Sequence, residues 1–373
     1  MIGRITTTVI TFVFLLIGGS CLCGQQIAPN GGDRGAITAG PTPSPSPQPT
    51  WIGADVKRWF DLDAALLQTR YQNIRTNANP AANVSRQQWQ VYLKGHFQFD
   101  DKGKYRINWL VQTGNNFTTG WNNTGLGTGP PQTNLYVKQL YFDARPSTKF
   151  EFQIGGIDFN RGEATEAVTY DNDGYLAGER ITVRAPKQLF FDEISATNAY
   201  IGDLNHPSIF QRFHRLGESN YHQFLIRKQA TKQIGFSVDY TFDTGKDFLH
   251  EAFRFKAPKR LFFDTLLFES YQRLDPQRNA GFNLFGEKVV NKRLIVNGGF
   301  ARIDRLMTLN GDRFPPGRRV YIGSVIKLNH AFSFNPVLIH AIGALPAASS
   351  HRTRLDLVFT YDLLEDLRHH HVL

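Results

Sequence analysis

The sequence predicts an all-β protein: a closed antiparallel transmembrane β-barrel of about 16 strands, preceded by a signal peptide and a Pro-rich linker. Three observations favour this fold class. From residue 61 onward apolar and polar residues alternate with a period of two, which is typical of strands with one apolar and one polar face. The connections between these segments are alternately short and long. Beyond the N-terminus the chain lacks apolar runs of the roughly 20 residues that a membrane-spanning helix needs.

The first 24 residues predict an export signal that is cleaved. Arg4 supplies the positive start, residues 9–17 are almost wholly apolar, and small residues follow at positions 18–20, which is the order found in signal peptides. Gly18 to Cys21 also form a weak lipobox, so a lipid on Cys21 is a second interpretation. Both interpretations take the mature protein out of the cytoplasm.

Residues 25–60 predict a disordered linker. They are rich in Gly, Pro and Ser and include the segment PTPSPSPQP at 41–49, a composition that favours extended polyproline II spacers and cannot bury a core. The expected organisation is therefore a signal peptide at 1–24, the linker at 25–60, the barrel at 61–364 and a C-terminal tail at 365–373.

The strands follow from the alternation. In the clearest one, Trp89, Val91 and Leu93 share one face while Gln88 and Gln90 share the other. The sixteen segments assigned in this way are 61–74, 86–100, 104–114, 134–145, 148–158, 175–184, 190–202, 219–229, 232–243, 247–256, 261–273, 279–287, 291–303, 318–329, 331–343 and 352–364.

The connections decide between a membrane barrel and a water-soluble sandwich. Short turns such as 100–103 and 329–330 follow even-numbered strands, whereas long loops such as 115–133 and 304–317 follow odd-numbered ones. A soluble sandwich has no reason to keep its long loops at one end, while outer-membrane barrels combine an even strand number with short periplasmic turns and long outer loops. Both chain ends should then lie on the short-turn side.

Four segments carry a family resemblance: NLYVKQLYFD at 134–143, GGIDFNRGE at 155–163, YDNDGY at 170–175 and GER at 178–180. With them, the chain resembles Gram-negative outer-membrane porins, and among these the phosphate-selective porin and alginate-export type of barrel. The resemblance implies a passive channel for small hydrophilic solutes, surrounded by outer-membrane lipid, and association into a homotrimer. The family's usual terminal aromatic residue is absent, since Leu363 is followed by LEDLRHHHVL.

Charges on the polar face of the strands predict a mild preference for anionic solutes. Cations outnumber anions nine to four there, and cations along a confined aqueous path concentrate anions. Because the basic residues are scattered through the strands, the excess does not favour nucleic-acid binding. The predicted pore-lining residues are Lys94, Arg106, Lys138, Glu151, Arg227, Asp239, Arg254, Glu269, Arg273, Arg293, Lys327, Arg354 and Asp356.

The loop at 159–174 is rich in charge and leads into the strand that carries Glu179 and Arg180. Three interpretations stay open: a constriction that folds into the pore, a plain surface loop, or a calcium site at Asp171 and Asp173, which lacks a full set of ligands. The constriction candidates are Arg161, Glu163, Glu166, Asp171, Asp173, Glu179 and Arg180.

Enzymatic function has little support. The chain contains no GxSxG, HExxH or phosphate-loop motif, and no cofactor or metal site is predicted. The histidines at 369–371 could bind a transition metal, but a flexible tail is the simpler interpretation. The alternative to a channel is a secreted or cell-surface all-β binding protein without a pore.

Overall fold

The structure is a computed structural model that describes residues 59–76, 83–113, 135–165, 176–185, 190–202, 208–258, 261–274, 276, 279–305, 307, 314, 316–344 and 351–370. The predicted signal peptide and nearly all of the linker lie outside these residues. The strands are β1 (Phe60–Thr76), β2 (Asn83–Gln98), β3 (Tyr105–Thr113), β4 (Leu135–Ser147), β5 (Phe150–Ile157), β6 (Leu176–Arg184), β7 (Glu193–Ile201), β8 (Tyr221–Gln229), β9 (Ile234–Asp243), β10 (Lys246–Lys256), β11 (Thr265–Arg273), β12 (Ala280–Asn291), β13 (Leu294–Ile303), β14 (Gly317–Lys327), β15 (Phe332–Ile342) and β16 (His351–Asp362).

Each strand pairs with its neighbours in the sequence, and β1 pairs with β16, so that the sheet closes. All these pairings are antiparallel; Leu66 opposite Asp362 is one example at the seam. The predicted closed barrel of sixteen strands is confirmed. Closure leaves no free sheet edge, which is the condition for a sheet to lie in lipid.

The two faces of the barrel differ in chemistry. Large apolar side chains such as Ile322, Leu338 and Phe359 lie on the outer face and are exposed. Residues of opposite parity in the strands, such as Asn297 and Asp356, lie on the inner face and are buried. The alternation that predicts the strands therefore separates an apolar exterior from a polar interior.

Turns at one end of the barrel are short. The end that carries the β2–β3, β4–β5 and β14–β15 connections is called here the short-turn rim, and the opposite end the long-loop rim. In the β2–β3 turn the carboxylate of Asp100 accepts hydrogen bonds from the backbone N–H groups of Lys102, Lys104 and Tyr105. Gly103 has φ +60 there, a conformation that glycine adopts without strain.

The described part of the chain includes two short helices beside the barrel: α1 (Phe210–Phe213) in the β7–β8 connection and α2 (Leu363–His369) after β16. Among the described residues, no helix combines the length and the apolar character needed to cross a membrane. Strand β16 ends at Asp362, whose side chain accepts a hydrogen bond from the N–H of Glu365 and caps α2. The predicted last strand, which extends to residue 364, is therefore two residues too long.

Candidate functional site: the barrel interior

Residues 158–165 follow β5 and run along the inside of the barrel; they are called here the inward segment. The side-chain amide of Asn160 donates to Oγ of Ser195 on β7 at 2.8 Å, and the backbone carbonyl of Asn160 accepts from Nε2 of Gln223 on β8 at 2.8 Å. Further along, the N–H of Thr165 donates to Oε1 of Glu269 on β11 at 2.6 Å. The inward segment thus crosses the inner face from β7 to β11.

Glu163 anchors the middle of the inward segment. Its backbone N–H donates to Oγ of Ser237 at 2.8 Å, and its carboxylate is 1% exposed. Nε of Arg227 lies 2.5 Å from Oε1, and Nη2 of Arg254 lies 2.8 Å from Oε2. The preceding Gly162 has φ +61, and a Cβ there would lie 2.6 Å from Oγ of Ser237. One carboxylate therefore holds two arginines of the inner wall.

A second insertion comes from the β7–β8 connection. The N–H of Ile209, just before α1, donates to the carbonyl of Val137 on β4 at 2.8 Å. The Ile209 side chain is fully buried in a cluster with Tyr92 and Leu110, and Arg212 of α1 is also buried. This insertion covers the inner faces of β2, β3 and β4.

A third insertion comes from the β13–β14 connection. Met307 and Phe314 are buried in one apolar cluster with inner-face residues of β10 to β15, and Ala164 of the inward segment belongs to the same cluster. The rings of Phe314 and Tyr321 lie 4.6 Å apart. The long-loop connections therefore narrow the interior from several sides.

Ion pairs line other parts of the inner wall. Glu151 on β5 pairs with Arg145 at 2.9 Å and with Arg184. Asp356 on β16 pairs with Arg354 at 2.7 Å and lies 3.7 Å from Arg70 on β1. Acids that partner arginines reduce the net positive charge that the cations alone would give.

A histidine–carboxylate pair lies near the inward segment. Nδ1 of His250 on β10 lies 2.9 Å from Oδ2 of Asp239, its cross-strand neighbour on β9. On the other side the His250 ring stacks on Tyr271 at 4.3 Å, and Tyr271 donates to Glu269. Asp239, His250 and Tyr271 line a small cavity together with Asn160 and Met307.

Three arginines lie close together on β14 and β16. Arg319 is 1% exposed and near enough to Arg352 and Arg354 for their charges to act on it. Nη1 of Arg352 donates to the carbonyl of Gly343 at 2.6 Å. Asp356 is the acid bound to Arg354. This group, Arg319, Arg352 and Arg354, is called here the arginine cluster.

The sequence-predicted pore residues mostly lie on the inner side of the wall. Lys138 is buried at a bulge in the β3–β4 pairing, and Lys327 is exposed at the short-turn rim. Arg293 lies in the β12–β13 turn and is exposed, so its assignment to the pore wall is corrected. The remaining inner-face residues are Lys94, Arg106, Glu151, Arg227, Asp239, Arg254, Glu269, Arg273, Arg354 and Asp356.

The constriction candidates divide into three groups. Arg161 and Glu163 belong to the inward segment, and Arg180 is buried on β6, where Nε donates to Oγ1 of Thr197 at 3.0 Å. Glu179 is exposed on the outer face of β6, the same face as Ile181, so its assignment to a constriction is corrected. Glu166, Asp171 and Asp173 lie outside the described residues.

Sequence reasoning missed several inner-face charges. Asp143 and Glu193 pair with arginines at the short-turn rim, and Glu287, Arg70 and Arg319 are buried on the inner face. Their position in the alternation was available as a signal, since each lies opposite in parity to apolar neighbours such as Tyr71 and Val320.

No protein-family model and no curated protein matches this chain. Solved structures do match: two mutants of the porin of Rhodopseudomonas blastica have TM-scores of 0.51 and 0.50 with this chain. Each is 10% identical in sequence, covers 82% of this chain and is itself covered over 100% of its length. The chain therefore has the fold of a porin barrel.

Proposed function

We propose that this protein is an outer-membrane channel through which small hydrophilic solutes diffuse passively. The observation that carries the proposal is a closed sixteen-stranded wall with an apolar exterior and a charged interior narrowed by the inward segment. Barrels of about this strand number have room for an aqueous path. A membrane-spanning wall with a polar interior of this width is suited to the passage of polar solutes.

The proposed location is the bacterial outer membrane, reached through cleavage of the N-terminal signal peptide. Exposed apolar side chains occur all around the outer face, for example Phe97, Phe224 and Phe268. At the short-turn rim Phe190 and Phe262 are 82% and 78% exposed. Aromatic residues at the ends of an apolar band are typical of membrane–water interfaces.

The same outer face disfavours the alternative, a secreted or cell-surface binding protein without a pore. Such a protein would expose this apolar surface to water, and soluble monomers rarely expose contiguous apolar patches larger than a few hundred Å². An apolar outer face on a closed sheet is stable in lipid.

A mild anion preference is the finer part of the proposal. The arginine cluster supplies positive charge to the interior, and confined cations attract anions. The preference should be mild because Glu163, Glu151 and Asp356 each bind arginines of the wall. Phosphate or any other particular solute is not specified by this arrangement.

A homotrimer is proposed from the porin resemblance, with one supporting feature. The outer face of β6 to β8 carries the polar residues Glu179, Asn198 and His222, with Ser219 bonded to both Asn198 and His222. Contact with a second subunit would shield such groups from lipid. Chemical cross-linking in detergent tests this, and a monomer band alone would contradict it.

Conductance in a planar bilayer tests the proposed function. The purified protein should insert, conduct salt in discrete steps and give a zero-current potential of the sign expected for anions at 0.1 M salt. Folded barrel should also migrate differently before and after heating in detergent gels. A protein that stays soluble without detergent and gives no conductance would exclude the channel.

A further inference from the structure

The C-terminal helix α2 lies against the β14–β15 turn at the short-turn rim, and its histidines meet a histidine of that turn. Nε2 of His330 lies 2.7 Å from Oδ1 of Asp366, and Nε2 of His370 lies 3.8 Å from the same oxygen. The three donor atoms lie within 4.8 Å of one another. Two imidazoles and one carboxylate are thus brought together from two separate parts of the chain.

The spacing fits a common metal ion. Zinc binds imidazole nitrogen and carboxylate oxygen at about 2.0 to 2.2 Å, so neighbouring ligand atoms of a tetrahedral site lie about 3.3 to 3.5 Å apart. The two nitrogen–oxygen distances, 2.7 and 3.8 Å, fall on either side of this value. No two of the three atoms are more than 4.8 Å apart, so side-chain shifts of about 1 Å would bring all of them to coordination distance.

The surroundings hold the carboxylate in place. The hydroxyl of Tyr361 donates to Oδ2 of Asp366 at 2.7 Å, which leaves Oδ1 for the histidines. This hydrogen bond, together with the one from His330, lowers the pKa of Asp366 below its usual 3.8. The ring of His369 stacks on that of His330 at 3.8 Å. Hydrogen bonds to a ligand from residues that do not themselves touch the metal orient that ligand in known sites.

We propose that His330 Nε2, Asp366 Oδ1 and His370 Nε2 bind one divalent transition-metal ion, with zinc as the best fit. Imidazole and carboxylate ligands suit zinc, and a fourth position stays open to water. Binding replaces the hydrogen bond between His330 and Asp366 by a bond from each of them to the metal, and a neutral His330 ring then carries its proton on Nδ1. The ion would join α2 to the β14–β15 turn. This inference does not depend on the proposed channel activity.

A second group at the same rim serves as a control. Asp61, Asp63 and His96 also bring three donor atoms within 4.8 Å of one another. Here Nδ1 of His96 lies 3.1 Å from Oδ2 of Asp63, and the ring is buried. With one imidazole and two carboxylates this group is less suited to zinc, because softer nitrogen ligands are the ones that favour it.

The test uses the full-length mature protein, folded in detergent and titrated with ZnCl₂ against a chromophoric zinc chelator. The wild type should bind one Zn²⁺ per chain. His330→Ala and His370→Ala should each weaken the affinity about tenfold or more, since each removes one of three ligands, whereas His96→Ala should leave the affinity unchanged. Heat-modifiable gel mobility shows that each variant has formed its barrel; His370→Ala is expected to fold in any case because its side chain is 64% exposed.

His330→Ala decides whether the site is built by the fold. If the histidines near the chain end bound zinc by themselves, the affinity would survive this substitution and the proposal would be wrong. Loss of binding in His96→Ala alone would assign the zinc to the other group and also overturn it. Absence of saturable binding by the wild type up to about 1 mM Zn²⁺ would exclude the site altogether.

Discussion

Replacement of Glu163 by Gln should both destabilise the barrel and increase its preference for anions. The carboxylate is almost fully buried and holds Arg227 at 2.5 Å and Arg254 at 2.8 Å. Gln keeps the size and a hydrogen-bonding group but removes the charge. Two arginines of the inner wall would then lack their common counter-ion.

The magnitude follows from burial. Removal of one partner from a buried ion pair costs about 3 to 5 kcal/mol, because the remaining charge stays desolvated. Arg254 is 9% exposed, whereas Arg227 is 29% exposed and can recover part of its hydration. We therefore expect a decrease in the free energy of unfolding of about 3 kcal/mol, at the lower end of this range.

The assays are urea unfolding of the folded barrel, followed by tryptophan fluorescence, and the zero-current potential in a planar bilayer. Glu365→Gln is the matched control, since Glu365 is exposed in α2, outside the barrel wall, and should change neither quantity. Equal effects of the two substitutions, or an unchanged potential for Glu163→Gln, would refute the placement of Glu163 beside the solute path.

Other substitutions test the faces and the rim. Arg319→Gln should shift the zero-current potential toward cation preference at 0.1 M salt, and less so at 1 M, because the screening length falls from about 10 to about 3 Å. The outward-facing Arg318→Gln should leave the potential unchanged; an equal shift would contradict the placement of Arg319 inside the barrel. Ile322→Lys, on the lipid side, should lower the free energy of unfolding by about 2 to 4 kcal/mol, and the inner-face Val325→Lys should lower it by much less. A larger loss for Val325→Lys would mean that the inner and outer faces of β14 are assigned the wrong way round. Hydrogen bonds from Tyr361 and His330 lower the pKa of Asp366 below 3.8, so the contribution of the carboxylate to holding α2 is present above pH 3.8 and is lost as the pH falls further. Amide exchange in α2 should accelerate below pH 3.8. Unchanged exchange down to pH 2 would refute the role of Asp366.

The strands could be predicted because a barrel wall separates two solvents. Residues that face lipid are apolar and residues that face the interior are mostly polar, so nearly every strand shows a period of two. The same alternation places Glu179 with Ile181 on the outer face; its assignment to a constriction ignored that parity. Arg293 was misassigned because the predicted strand began at 291, the last residue of β12, and so included the turn at 292–293.

The insertions could not be predicted in the same way. Ile209, Met307 and Phe314 lie in irregular connections, where no period marks an apolar residue as buried. The inward segment likewise contacts residues that are distant in sequence: the N–H of Thr165 donates to Glu269, 104 positions later. Glu163 neutralises Arg227 and Arg254 through contacts of this kind, so a count of strand charges alone overestimates the field that a solute would meet.

The seam between β1 and β16 sets a condition on how the barrel is made. Gln68 on the first strand donates to Thr360 on the last, 292 positions later. Every other strand pairing joins strands adjacent in the sequence. Fourteen of these pairings can therefore form before β16 arrives, but the ring stays open until it does. A chain shortened before β16 would present two unsatisfied edges to lipid, which costs several kcal/mol for each unpaired backbone group. Completion of the barrel therefore depends on a single late event, the pairing of β1 with β16.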